Sequence, residues 1–145
     1  MFNTNHRMSL RSFNDLLHFL VCENSFCYVP TTWRPDPVWL SITCSKRKTY
    51  TTRFGGPCTY FSRQTKGIDI CNINIRHLQR LMANIIFGRN GSKNVYRKAE
   101  LFLTWCALTG THADIGAFII LRLIEVAKTS HENVIGVRNT ITAIA

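Results

Sequence analysis

Residues 74–88 read NIRHLQRLMANIIFG, and the reading of this stretch decides the fold. Apolar side chains recur at Ile75, Leu78, Leu81, Met82, Ile85 and Ile86. That three-and-four spacing is one face of an α-helix. Arg76 and Arg80 fall a quarter-turn or more away from the stripe, on the side expected to meet water. Gly88 follows the stripe and suits a C-cap, because glycine enters the left-handed region without a Cβ penalty. Gly88 to Ser92 then reads as a turn.

Working outward toward the C-terminus, a second helix is expected from about Tyr96 to Leu108. Leu101, Phe102, Leu103, Trp105, Cys106, Ala107 and Leu108 go all round it, so it should be buried on most sides. Gly110 stops it. Thr111 with Asp114 resembles a capping box and opens a third helix over about Ala113 to Thr129. Asp114, Arg122, Glu125, Lys128 and Thr129 form its polar strip, and Arg122 and Glu125 are spaced to pair. Gly136 marks a break, and Val137 to Ala145 reads as the start of a further helix. The apolar run at Ile141 to Ala145 reads as the interruption of a larger unit.

Toward the N-terminus the chain is less regular. Ser12 with Asp15 resembles a capping box for a helix from about Phe13 to Cys22, with Phe13, Leu16, Leu17 and Leu20 on one face. Pro30, Pro35 and Pro37 punctuate residues 28–37, and Trp33 to Pro37 is expected to be extended or turn-like. Pro37 suits the first turn of a short helix through Val38, Trp39, Leu40 and Ile42. Residues 45–67 carry no periodicity and read as a mobile basic loop, the alternative being short strands at Tyr50 to Phe54 and Thr59 to Phe61. The expected fold is mainly α: a small multi-helix domain with an irregular, partly disordered basic N-terminal half. It divides into residues 1–44, a basic linker at 45–70, and a helical unit at 71–145.

Composition sets the bounds. The chain has 145 residues, of which 46% are hydrophobic and 18% charged. That is one domain with enough apolar surface for a core, and it excludes a wholly disordered, collagen-like or disulfide-scaffold chain. The longest apolar segment, Ile115 to Ala127, contains Arg122 and Glu125, so no membrane span is expected. The N-terminus has no signal-peptide core, which implies an intracellular protein with reduced thiols. The six cysteines form no C-x-x-C and no zinc pattern, so they read as single buried apolar residues. Trp33, Trp39 and Trp105 read as packing residues.

Charge is the feature that bears on function. Eighteen Lys and Arg face eight Asp and Glu, a formal charge of +10. Residues 46–98 hold twelve bases and one acid, Asp69, a net +11, while the remainder sums to −1. A stripe of this sign attracts polyanions, since each phosphate contact releases a condensed counterion. The candidate nucleic-acid contacts are therefore Lys46, Arg47, Lys48, Arg53, Arg63, Lys66, Arg76, Arg80, Arg89, Lys93, Arg97 and Lys98. Tyr50, Phe54, Tyr60, Phe61 and Tyr96 lie among them, and basic residues interleaved with aromatics are what single-strand binding uses.

Catalytic signatures are missing. There is no glycine-rich nucleotide loop, no Walker sequence, no zinc-protease helix and no nucleophile elbow. Cys106 and His112 are the nearest approach to a thiol–imidazole pair, and each has an ordinary structural reading. The expectation is a non-enzyme with no catalytic, cofactor or metal site and no small-molecule substrate.

Residues 71–145 also carry a resemblance. The run Ile75 to Arg89 is similar to a block of plant Athila-type first-open-reading-frame proteins, which occupy the gag-like position of Ty3/Gypsy-class LTR retrotransposons. Arg97-Lys98-Ala99-Glu100-Leu101 followed by Trp105 resembles that family's next segment. Gly116-Ala117-Phe118 with Leu123 to Ala127 resembles its following helix, and Val134-Ile135-Gly136 with Ile141-Thr142 its last turn. The resemblance implies a fragment of a non-enzymatic gag-like protein that assembles with copies of itself or associates with RNA or DNA.

Overall fold

A computed structural model describes residues 7–20, 22–43, 60–61, 65–89 and 95–128. Among these the fold is mainly helical. In chain order the elements are α1 (Leu10–Leu16), α2 (Asp36–Ile42), α3 (Ile73–Ile85), α4 (Lys98–Thr109) and α5 (Ile115–Lys128), with one 3₁₀ turn at Gly67–Asp69. Extended pairing among the described residues is limited to isolated bridges. The strand considered at Tyr50 to Phe54 and the helix considered after Gly136 lie outside the described residues.

α4 is the centre of the molecule, and its composition is the reason. Leu101 enters one core cluster with Val38, Trp39, Ile42, Tyr60, Ile70 and Tyr96. Phe102, Leu103 and Cys106 enter a second with Met82, Phe87 and Phe118. A helix apolar all round can serve two cores at once, and α2, α3 and α5 supply the opposite walls. Phe102 is fully buried, with ring centroids 5.2 Å from Trp33, 5.6 Å from Phe26 and Trp105, and 6.1 Å from Phe118. Trp33 and Trp105 touch both clusters, while Trp39 is buried against Tyr60 and Tyr96. Burying a side chain such as Phe102 stabilises by roughly 1.5–3 kcal/mol. Gly110, at φ +70°, ends α4 where expected.

Short backbone pairings tie the irregular segments to this helical core. Phe26 N–H donates to the His112 carbonyl at 3.0 Å, and Asp114 N–H donates to the Phe26 carbonyl at 2.9 Å. Cys71 N–H donates to Ile42 at 3.0 Å, and Tyr96 N–H to Thr65 at 2.8 Å. Thr65 to Gly67, the end of the stretch without periodicity, is therefore docked, and Ile70 just beyond it is fully buried. Trp33 and Trp39 share their cores with α4, so the N-terminal and C-terminal segments are packed on one another.

Three local readings are corrected. α1 begins at Leu10, not Phe13, because Ser9 is the cap and accepts from Ser12 N–H at 3.1 Å. It also ends early: His18 turns back at φ +55°, and Phe19 N–H donates to the Asn14 carbonyl at 2.9 Å. Its buried residue is Asn14, while Leu16 and Leu20 face solvent. In α3 the buried face is Gln79, Met82 and Ala83, rotated from the apolar stripe by roughly 75° at 100° per residue. Leu81 and Ile85 are consequently exposed. α5 is capped by Asp114 itself, whose Oδ1 accepts from Ala117 N–H at 2.9 Å, so Thr111 is not the cap.

Gly88 keeps its expected left-handed role at φ +53°, just beyond the helix end. Arg89 N–H then reaches back to the Ala83 carbonyl at 2.8 Å. Arg122 and Glu125 pair as spaced, at 2.6 Å. The cysteines divide. Cys106 is buried as expected, and Cys22 and Cys27 are free and half-buried. Cys71 departs from the reduced, buried reading: it is exposed and disulfide-bonded.

Candidate nucleic-acid interface

The charged side chains sort into a buried network and an open basic pocket. The network is built around Glu100, which is fully buried on α4. Its Oε1 accepts the Arg89 guanidinium in a short ion pair. Its Oε2 accepts from Gln79 Nε2 at 3.1 Å and from Arg97 N–H at 3.2 Å. Arg89 also donates to the Val95 carbonyl at 2.9 Å. Beside it, Tyr96 and Thr104 share a hydroxyl–hydroxyl bond, and Tyr60 Oη donates to the Tyr96 carbonyl at 2.8 Å. Burial pushes the Tyr96 phenol well above its ordinary range. Networks of this kind hold only when every member is satisfied, since a buried lone charge costs several kcal/mol.

Arg89 is thereby corrected as a nucleic-acid contact. Its side chain is 5% exposed and its charge is spent on Glu100. It holds the turn after α3 against α4 and does not face solvent.

Lys66, Arg76 and Arg80 have a different placement. They line one cavity of about 370 Å³ together with Gly67, Ile68 and Gln79. Its lining contains no acid. The 3₁₀ turn provides Lys66 at its head, and α3 presents Arg76 and Arg80 at i,i+4, on the same side. Lys66 and Arg80 are exposed and Arg76 is half-buried. Arg76 Nε is buried and has no hydrogen-bond partner. A donor in that position favours an incoming acceptor, because its own desolvation is uncompensated.

Arg97 is exposed at the N-terminal end of α4, and Lys98 is half-buried beside it. Partial burial, and then the nearby guanidinium groups of Arg89 and Arg122, hold Arg97 below the ordinary arginine range. The Lys66–Val95 bridge brings the basic cavity within two residues of Arg97 along the chain. Lys46, Arg47, Lys48, Arg53, Arg63 and Lys93 lie outside the described residues. Tyr60 and Tyr96, read as possible stacking aromatics, are core residues.

Gln79 and Glu100 were missed by the sequence reading. Gln79 did carry a signal, since it interrupts the apolar face of α3 between Ile75 and Met82. The Cys106 thiol is pushed up to about 11 by burial, the opposite of an activated nucleophile. Among the described residues no helix is long and apolar enough to cross a membrane. No cluster of His, Cys, Asp or Glu there is arranged to hold a metal ion.

No family model, curated protein or solved structure matches the chain.

Proposed function

We propose that this chain is a non-enzymatic, gag-like component that holds nucleic acid through its phosphate backbone. The observation that carries the reading is the acid-free cavity lined by Lys66, Arg76 and Arg80, with Arg76 Nε unpartnered. Cations that make no ion pair among the described residues and share one concave surface meet successive phosphates without first breaking internal contacts. Such binding is independent of sequence, because phosphates carry no base information. The resemblance to Athila-type first-frame proteins supports the gag-like setting and adds no residue roles.

The test is the salt dependence of oligonucleotide binding. Affinity should fall with a log–log slope of about −0.7 per phosphate on single strands or −0.9 on duplex. Replacing the exposed Lys66 and Arg80 together with Gln should reduce the single-strand slope by about 1.4. An unchanged slope would remove this cavity from the interface.

A second reading, self-assembly, is favoured by exposed apolar side chains. Leu81 and Ile85 stand one turn apart on α3 at 55% and 37% exposure, and Leu121 and Ile124 are similarly open on α5. Sedimentation should then detect a defined oligomer, and a strictly monomeric chain at high concentration would discard this reading.

A further inference from the structure

A second cavity, of about 340 Å³, lies between the Tyr28–Val29 segment, the end of α3 and the outer side of α5. Its walls are apolar: Val29, Phe87 and Phe118. Its polar lining is Tyr28, 65% exposed, two arginines, Arg97 and Arg122, and one carboxylate, Glu125. The arginines are not equivalent. Arg122 is committed, with Nε donating to the Phe87 carbonyl at 3.2 Å and a terminal nitrogen bound to Glu125 at 2.6 Å. Arg97 makes no ion pair among the described residues; it lies near the guanidinium groups of Arg89 and Arg122 and, more weakly, feels the carboxylates of Glu100 and Glu125. The cavity thus combines an apolar recess, an exposed aromatic edge and a charged lining of two arginines and one carboxylate, net +1.

We propose that this cavity takes one unstacked nucleobase, with the phosphate attached to that nucleotide held by Arg97. A planar, weakly polar ring with an anion at one end fits each part. The recess accepts the ring face, Tyr28 stacks on or flanks it, and Arg97 neutralises the phosphate. Cavities from about 300 Å³ upward are of ligand size. A purely apolar peptide would leave Arg97 unmatched, and an acidic peptide would leave the aromatic recess unused. The inference rests on the phosphate-binding reading above and deepens it, because a base can enter only from a strand that is not paired. The two cavities are also close along the fold. Lys66, at the mouth of the basic cavity, pairs with Val95, two residues from Arg97.

The test is binding of the full chain, by fluorescence anisotropy at low salt, to three probes of equal length. These are a labelled oligothymidylate, the same strand made abasic, and a duplex. The expected result is that oligothymidylate binds on the order of tenfold tighter than the abasic strand, since stacking one base on an aromatic contributes about that much. Tyr28→Ala should abolish the difference while leaving abasic binding and the thermal melt unchanged, because Tyr28 lies outside the core. Arg97→Gln should weaken both single strands. Thymidine monophosphate, titrated by NMR, separates a strand from a free nucleotide. Saturation of the Val29 and Leu121 amides by the monophosphate, with no base dependence for the oligonucleotide, would overturn the strand assignment. Equal binding of all three probes, insensitive to Tyr28→Ala, would overturn the base pocket and leave the phosphate reading standing. No binding to any probe at low salt would remove both.

Discussion

At the scale of single residues, the most constrained contact is Asn14 on Gly116. Asn14 Nδ2 donates to both carboxylate oxygens of Asp114 at 3.1 Å, while its Oδ1 is buried without a partner. A Cβ on Gly116 would sit 1.7 Å from that Oδ1. Gly116→Ala must therefore expel the Asn14 side chain and break its bonds to a charged group. Overpacking of this kind and the lost bonds together should cost about 2–4 kcal/mol in urea unfolding. Asn14→Ala in the same chain should restore much of the loss that alanine at Gly116 causes, because the clash is removed. A cycle without such coupling would sink this account.

Glu100 belongs at the same scale. It sits at the third position of α4, where its Oε2 also accepts the Arg97 N–H and so satisfies a donor at the helix start. One carboxylate thus begins the helix, pairs Arg89 and binds Gln79. Its placement explains why a polar Gln79 is buried on a helix with apolar residues to spare.

At the scale of elements, the helices are set by their ends. Asp114 caps α5 and receives Asn14, so α1 is held to the start of α5 by one side chain. α4 ends at Gly110 for a different reason, its φ of +70°. A Cβ there would meet nothing within 4 Å. Gly110→Ala should consequently cost only the backbone strain, about 1 kcal/mol, with no change in the core. Thermal melts of the Gly110 and Gly116 variants should separate the two mechanisms. Equal losses would contradict the distinction between strain and clash.

At the scale of the whole molecule, the two cores meet on α4, and both bury acids that are neutral at pH 7. Cys106 is raised to about 11 and Tyr96 is raised further, each mainly by desolvation. The sign follows from linkage. The unfolded chain loses the Cys106 proton from about pH 8.5, while the folded chain keeps it to about 11. Stability is thus fully present below about pH 8.5 and falls as pH rises, at up to about 1.4 kcal/mol per pH unit for one such group. The melting temperature should drop between about pH 8.5 and 11, and Cys106→Ala should flatten the slope. A melt that is level across that range would refute it.

The sequence by itself determined the helical class, the position of α4 and α5, the stop at Gly110, the Arg122–Glu125 pair and the basic sign of the central segment. These are local properties: periodicity, caps and charge are readable within a few residues. Only the tertiary structure decided which face of α3 is buried, because Gln79 is drawn inward by Glu100, twenty-one residues away. It likewise decided the length of α1, where Asn14 answers to Asp114 across one hundred residues. And it separated arginines that look alike in sequence: Arg89 is consumed inside, while Arg76 and Arg80 are left facing a cavity. Whether a charge is spent or available depends on what the fold brings next to it, and that is a property of the packed chain.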